Sequence, residues 1–515
     1  MIIAVATVFL AVFTSCDDET GNVDTQTEWF DAGALDDVYE YLIQNANGDT
    51  PDNAIHIIVN IHLGTMTNAN SGWQQLLKTI NSTYKYVDLD LSGSTMNGVE
   101  FNPDYRIATG KGRIVSLILP DAARGIINGN NAHVPFTYFY SLKSISGAMV
   151  KTIGNYAFSP VSSNRIPLVN VSFPVATNIG HNAFFACLSL ENVNIPAATT
   201  IGSSAFYYCT SLVNVSFLVA TTIGSGAFDR CNFLENVNIP AATTIGSRAF
   251  NDCRSLESVS FPVATTIGSN AFSGCTSLEN VDFPAAATIG DYAFSGCTSL
   301  ESVSFPAAAT INNNPFIYCT SLTSFNLTGS GNLSVFENGR ALVRNNTELV
   351  SYPSASGIIT MPAITSIGDS ALSGTSLVSA DFPAATTIGD WAFQRCSSLE
   401  SVNFPVAVTI GDWAFYGIRS KNVSFPAAVT IGREAFRRSW IESVSFPVAE
   451  TIGREAFSGC TFLESASFPA VITIGEYVFE ICTSLQSVSF PAVTRIGRYA
   501  FSGCTGLPPL KWTKS

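Results

Sequence analysis

The chain is poor in charge. Only 12% of its 515 residues are Asp, Glu, Lys or Arg, and the balance is acidic, at a net −14. The basic footprint that nucleic acid requires is missing, so nucleic acid is not an expected partner. Histidine is scarce too, with His56, His62, His133 and His181 as the full set. His56 and His62 would share one strand face, but no Cys or carboxylate pair accompanies them, and no metal site is expected there. After residue 16 no apolar run is long enough to cross a membrane as a helix, so any membrane contact must come through an anchor. Nucleophile elbows, phosphate loops and metalloprotease signatures are lacking as well, so no catalytic residue and no cofactor are expected. The chain is nevertheless 46% apolar, the composition of an ordered, secreted-type protein.

What fills it is a repeat. Ile-Gly pairs recur at Ile179, Ile201, Ile223, Ile245, Ile267 and Ile289, each 22 residues after the last, with Ile311-Asn312 as a degenerate copy. The beat resumes at Ile367 and runs through Ile388, Ile410, Ile431, Ile452, Ile474 and Ile496 at spacings of 21 or 22. A fixed period of this size means a solenoid, with each repeat one turn stacked on its neighbours. In the unit from Cys275 to Gly296 and its continuation, Leu278, Val281, Phe283, Ile289, Ala293, Phe294 and Cys297 stand at the recurring apolar positions and should point inward. Leu278 to Phe283 reads as a short strand closed by Pro284, and Gly290 as a tight corner where a Cβ is unwelcome. A single unit buries too little apolar surface to offset the ordering of its backbone, so stability must come from the stack.

The pattern L-x-x-V-x-F-P-x-x-x-T-x-I-G-x-x-A-F-x-x-C-x-x-L resembles the BspA-like class of bacterial leucine-rich repeats, over about residues 141–506. That resemblance implies a mainly β fold: a right-handed leucine-rich-repeat solenoid with a concave parallel sheet. Strands ending near Phe173, Ile195, Phe217 and so on to Phe490 would number at least fifteen and span on the order of 70 Å. It also implies a cell-surface protein of the kind associated with adhesion to host proteins or other cells.

Residues 1–16 read as a signal peptide. Phe13-Thr14-Ser15-Cys16 looks like a relaxed lipobox in which Phe13 replaces the usual Leu and Cys16 would carry the lipid. No Lys or Arg precedes the apolar run, which points to a start further upstream. Residues 17–28, with five acidic residues in twelve, read as a flexible tether. Residues 29–140 break the period. Ala54 to Leu63 looks like a strand, Trp73 to Ile80 like a helix, Tyr86 to Leu91 and Arg113 to Pro120 like further strands, which together give a small N-terminal α/β cap. Within the repeats, residues 328–360 read as a β-meander insertion, because Asn338-Gly339 and Asn345-Asn346 are hairpin signals. Residues 507–515 form a C-terminal tail in which Pro508, Pro509, Lys511 and Lys514 blunt the last edge.

Eleven of the twelve Cys fall in one repeat column, seven of them 22 apart from Cys187 to Cys319. Parallel Cβ vectors on stacked turns lie too far apart for bridges, and the spacing does not suit zinc, so buried free thiols are expected. Where the unit shortens to 21 residues, near Gly374, Gly417 and Arg438, the Cys is missing. Three surface columns remain. Asn192/Asn194, Ser258/Ser260 and Ser302/Ser304 flank the inward Val of the strand and read as solvated ladders. Glu191, Glu235, Glu257, Glu279, Glu301, Glu400, Glu442 and Glu464 form an acidic rim that reads as a solubility device, without the mixed ligands calcium prefers. The positions flanking Ala-Phe change from Ser, Asn and Gly to Trp391, Arg395, Trp413, Tyr416, Arg433, Arg437, Arg438, Arg454, Tyr477, Arg498 and Tyr499. Trp391, Trp413, Arg433, Arg437 and Arg454 are read as equivalent offsets in successive turns. With Arg395 and Arg438 they make the candidate protein-binding patch, since Arg and Trp are the residues of interface hot spots; drift at tolerant positions is the competing reading.

The function expected is binding to a protein ligand on host matrix or neighbouring cells, from a lipid-anchored position at the bacterial cell surface or outer membrane. A carbohydrate-active enzyme on a parallel β-helix and a structural surface-coat spacer are the alternatives. The enzyme would need a local polar cluster interrupting the repeat, and the spacer would need no chemically distinct patch.

Overall fold

The computed structural model describes residues 30–508, apart from residues 104, 105, 107, 161–164, 309 and 328–331. The expected lipid attachment at Cys16, the tether, and Pro509, Lys511 and Lys514 lie outside those residues. The molecule is a mainly β solenoid of stacked turns, and among the described residues it has two α-helices, Leu35–Gln44 (α1) and Gly72–Thr83 (α2).

Each regular turn contributes two short parallel strands. In the turn that opens at Cys275 these are Asn280–Asp282 and Thr288–Ile289. The first is shorter than the six residues expected from sequence because both ends are bent into turns. Leu278 N–H donates to Cys275 O at 3.2 Å, and Ala286 N–H to Phe283 O at 3.1 Å. Only the central Val281 of the three strand residues points inward. The second strand places Ile289 inside and stacks in register on Ile267 and Ile311. Leu278, Val281, Phe283, Ile289, Ala293, Phe294 and Cys297 are all buried, as the repeat pattern demands.

The core is built of two aromatic columns. Phe250, Phe272 and Phe294 stack at 5.2 and 5.3 Å between centroids, and Phe261, Phe283 and Phe305 at 5.8 and 5.9 Å. Rings of the two columns meet at tilted angles, for example 53° between Phe272 and Phe283. Such offset contacts suit ring quadrupoles and fix the spacing of the turns. Phe283 and Phe305 lie on adjacent turns, as the period requires.

The Ile-Gly glycine marks where two turns come closest. A Cβ on Gly268 would sit 2.5 Å from Ser247 N and 2.7 Å from Gly246 C, and one on Gly290 equally close to Ser269 and Gly268. The following residues enter the left-handed region twice per turn, once before the Ala-Phe pair (Asn270, φ 57°) and once before the Cys column (Asp252, φ 56°). These are the sharp corners that let a short repeat close on itself.

All eleven described cysteines are free, ten are buried, and Cys504 is half-buried. Each thiol also donates to a main-chain carbonyl one turn earlier, such as Cys253 Sγ to Phe228 O and Cys275 Sγ to Phe250 O, both at 3.1 Å. In one shortened turn Ser439 takes over this role, donating to Phe415 O at 2.7 Å. The column therefore supplies a small apolar donor as well as filling space.

The first edge is covered by the N-terminal region. Phe30–Ala32, Ile55–Val59, Val87–Asp90 and Ile114–Ile118 belong to the same parallel sheet as Ser144–Ser146, Asn170–Ser172 and Asn192–Asn194. Helix α2 starts at the N-cap Ser71, whose Oγ accepts from Gln74 N–H, and ends at the left-handed Tyr84. It buries Trp73, Leu76, Leu77 and Ile80. Helix α1, which buries Val38 and Leu42, has no counterpart among the elements read from sequence. The second strand column begins already at Glu100–Phe101, ahead of the regular repeats.

Leu333–Phe336, Ala341–Arg344 and Glu348–Ser351 form an antiparallel meander, and the last of these pairs in parallel with Ser366–Ile367 of the next turn. Its two faces serve two cores. Leu342 and Val350 pack on the N-terminal core, while Ala341, Val343 and Leu349 pack on the C-terminal one. The Arg344 guanidinium donates to Ile311 O, taking the place of the glycine N–H that the next regular turn would supply, and pairs with Glu348 at 2.7 Å.

Candidate protein-binding surface

The seven residues proposed from sequence do not share one offset. Trp391 and Trp413 stand just before Ala-Phe, in the left-handed region at φ 55° and 58°. Glu434 and Glu455 hold that position in the next two turns. Arg433 and Arg454 come one residue earlier, Arg437 follows Phe436, and Arg395 and Arg438 occupy the second left-handed corner. The equivalence read from sequence is thus corrected to four distinct offsets. Adjacent turns still bring them close, with Trp391 N–H donating to Asp412 O at 2.8 Å and Trp413 N–H to Arg433 O at 2.9 Å.

Three of the arginines are engaged within the protein. Arg437 Nη1 bridges Glu434 at 2.6 Å and Glu455 at 2.7 Å, Arg433 pairs with Glu434 at 3.0 Å, and Arg454 pairs with Glu455 at 2.9 Å. Glu434 is 1% exposed, so its charge requires these partners and removing them would leave it stranded. Arg454 also lies over the Tyr477 ring at 5.1 Å. This is a structural brace across two turns. Trp391 and Trp413 are half-buried, and Trp413 leans on Tyr416 at 5.3 Å. Arg395 and Arg438 differ from the rest. Both are exposed and neither has a carboxylate partner among the described residues; Arg438 donates to the Tyr416 hydroxyl at 3.3 Å.

Residues missed from sequence lie on the loop between the thiol column and the first strand. Trp440 and Phe462, on successive turns, are 46% and 48% exposed with ring centroids 5.3 Å apart, and exposed Arg419 lies over the Trp440 ring at 4.9 Å. Trp440 sits in a 21-residue unit, and that departure from the period was the signal that could have drawn attention to it. The first half of the stack has its own aromatic row, Phe185 on Tyr207 at 4.9 Å, with Arg230 at 6.0 Å from the Tyr207 ring.

The other surface columns are plainer. Strand-face amides form ladders, Asn192 Nδ2 to Asn170 Oδ1 and Asn236 Nδ2 to Asn214 Oδ1 at 2.7 Å each. The Glu rim is largely exposed, and Glu442 pairs with Lys421 at 2.8 Å. His56 does have a carboxylate neighbour, Asp88 at 3.0 Å on the adjacent strand, a pairing invisible in sequence because 32 positions separate them. Burial raises Asp88 above the usual carboxylate range, against the pull of His56 and Lys143. His62 bonds Thr95 at 2.8 Å. Among the described residues no group of three His, Cys, Asp or Glu could hold a metal ion, and no helix is long and apolar enough to cross a membrane.

Residues 133–244, 221–340, 354–442 and 429–514 match the family described as BspA type leucine rich repeat region, in six copies. The chain belongs to that family. Among solved structures, this BspA-type chain is similar to a leucine rich cell surface protein from Faecalibacterium prausnitzii, at 25% identity over 68% of this chain and 83% of that one, with a TM-score of 0.49. It is also similar to a leucine-rich repeat protein from Bacteroides ovatus, at 25% identity, 67% and 83% coverage and a TM-score of 0.40. A third, from Eubacterium ventriosum, is 18% identical, with 77% and 90% coverage and a TM-score of 0.42. No curated protein matches the sequence.

Proposed function

We propose that this BspA-type solenoid is a non-enzymatic binding protein of the bacterial cell surface, lipid-anchored through Cys16, that adheres to protein ligands on host extracellular matrix or neighbouring cells. The observation that supports it is a contrast between columns. Core columns repeat almost unchanged from turn to turn, whereas exposed Arg and aromatic side chains gather at non-repeating surface positions of the second half. Catalysis would call for titratable groups converging on a reacting centre, whereas the set that converges here, Glu434 and Glu455 with Arg433, Arg437 and Arg454, is paired within itself as a brace. A protein partner suits such a surface, because rigid aromatics and forked guanidinium donors gain contact at small entropic loss.

The binding reading is tested with the immobilised full chain against purified matrix proteins and solubilised surface proteins. Saturable binding is expected. Replacing Trp391 and Trp413 together by Ala should weaken it by about 2 kcal/mol if the ligand reaches that edge, with the Phe columns keeping the fold intact. An equal loss from Ser258→Ala with Ser302→Ala would place the site on the strand face instead. The anchor is tested by metabolic labelling with a fatty-acid analogue: Cys16→Ala should abolish incorporation, and label retained in that variant would refute lipidation at this residue.

A further inference from the structure

The loop surface around Trp440 has a half-exposed aromatic pair and arginines without carboxylate partners among the described residues. In Trp440 and Phe462 about half of each residue faces solvent, and the two rings meet at a tilted angle across two successive turns. Trp440 is held in place by its backbone, whose N–H donates to Ile418 O at 3.0 Å, and by the buried Ser439 before it. Packing of its ring against Phe462 and Arg419 limits the freedom of the side chain before any partner arrives, a condition that favours an exposed Trp as an anchor.

Arg419 lies over the Trp440 ring, Arg438 stands two residues before Trp440, and Arg395 holds the Arg438 corner two turns earlier; all three are exposed and none is in an ion pair among the described residues. The chain as a whole carries net charge −14, with 39 carboxylates against 25 Lys and Arg, so three neighbouring arginines left without a carboxylate form a local positive patch. Arg433, Arg437 and Arg454, a few residues away in sequence, have found Glu partners. Arg395 and Arg438 occupy the same corner two turns apart, with Gly417 between them, so their side chains fan over a span of roughly 10 Å. Arg438 also lies across Gly459, where any added Cβ would meet its Cγ at 3.3 Å.

We propose that this surface docks an acidic polypeptide segment, which sets an aromatic or aliphatic side chain against Trp440 and Phe462 and carboxylates on Arg395, Arg419 and Arg438. An extended chain advances about 3.3 Å per residue, so two carboxylates three residues apart match the Arg395–Arg438 span. Guanidinium groups bind carboxylates in a forked geometry, and at Arg419 the Trp440 ring would exclude water from one side of the pair. The inference deepens the binding function proposed above and rests on it for its biological setting, while its chemistry rests on this surface alone.

The test is selection of random dodecapeptides displayed on phage against the full chain, followed by fluorescence anisotropy with the enriched peptides as labelled synthetic probes. Enriched sequences should carry at least two Asp or Glu about three positions apart and a Phe, Trp, Tyr or Leu. Trp440→Ala, and separately Arg438→Gln, should weaken the probe at least about tenfold; Arg438→Gln, at an exposed side chain, should leave the thermal unfolding temperature unchanged, and Trp440→Ala should keep a cooperative unfolding transition. Raising the salt concentration should weaken wild-type binding. Enrichment of basic or uncharged peptides, no enrichment, or full binding by both variants would overturn the proposal. So would a probe displaced only by a sulfated polysaccharide and by no acidic peptide. If both variants lose the probe but keep binding matrix or surface proteins, the docking chemistry stands and the adhesive ligand lies elsewhere. If the probe never binds while the whole protein still adheres, the docking inference alone fails.

Discussion

Gly268→Ala destabilises the solenoid by about 3 kcal/mol or more, whereas Gly296→Ala, one turn on at the other glycine position, costs about 1 kcal/mol. At Gly268 the new methyl would overlap main chain, with Ser247 N at 2.5 Å and Gly246 C at 2.7 Å, and no side-chain rotation relieves that. Turns would have to separate, and the Phe stacks at 5.2 and 5.3 Å would open with them. At Gly296 the strain is only that of φ +73°, because the nearest atom lies 3.9 Å away. The protein already places Ala186, Tyr208, Arg230 and Asp252 in that second position, all at positive φ. The first position holds Gly in every regular turn but the one at Asn312, beside the meander. Urea unfolding of the two variants measures the difference; equal losses would contradict the close-approach explanation.

Above about pH 9 the stability of the fold drops steeply. Burial pushes the thiols of Cys187, Cys209, Cys231, Cys253, Cys275, Cys297, Cys396 and Cys460 up from their ordinary 9.0, to about 12 for Cys231 and Cys460 and about 11 for Cys396. Because the folded-state values lie above the unfolded ones, the native chain holds protons that the unfolded chain releases. Their stabilising contribution is complete below about pH 9 and is lost as pH rises toward the folded values. Each such thiol contributes a slope of about 1.4 kcal/mol per pH unit in that window, so eight together give at most about 11 kcal/mol per pH unit. Replacing Cys231, Cys253 and Cys275 by Ser should reduce the slope by about 4 kcal/mol per pH unit. Ser439 shows that a hydroxyl can keep the bond to the carbonyl. The two proteins share every other side chain, so the difference between them isolates the three thiols. In denaturant without reductant, titration should count the eleven described thiols as free, beyond Cys16. A flat stability up to pH 10.5, or a count near zero, would contradict the buried thiol column.

The core was legible in the sequence because identical turns must bury identical side chains. Leu278, Val281, Phe283, Ile289 and Phe294 repeat at fixed offsets, so the period alone names the inward positions. The Thr288–Ile289 strand was harder to see, since two residues carry no alternation to read. Helix α1 was hidden because Leu35–Gln44 buries only Val38 and Leu42, while other large apolar side chains such as Tyr39 and Ile43 stay exposed and blur the helical periodicity. The meander could be recognised from its turns, but its alternation between two cores depends on what packs on each face.

The binding surface was less legible for a different reason. Composition identified an Arg- and Trp-rich second half but could not say which charges were already used. Glu434 and Glu455 sit in the same column as Trp391 and Trp413, and only in three dimensions do they absorb Arg433, Arg437 and Arg454. Arginines without a carboxylate partner among the described residues, and half-exposed rings, are instead found at Arg395, Arg419, Arg438, Trp440 and Phe462. Two of those, Arg395 and Arg438, were among the residues expected from sequence.

The central functional claim is that this solenoid recognises protein, and adhesion to treated cells tests it most directly. Fluorescently labelled full chain is applied to intact host or bacterial cells, untreated, treated with protease, or treated with a mixture of glycosidases. The account predicts saturable binding that protease treatment removes and glycosidase treatment leaves in place. Binding that survives protease and disappears after glycosidase treatment, or cell-surface polymer shortened by the protein itself, would contradict it.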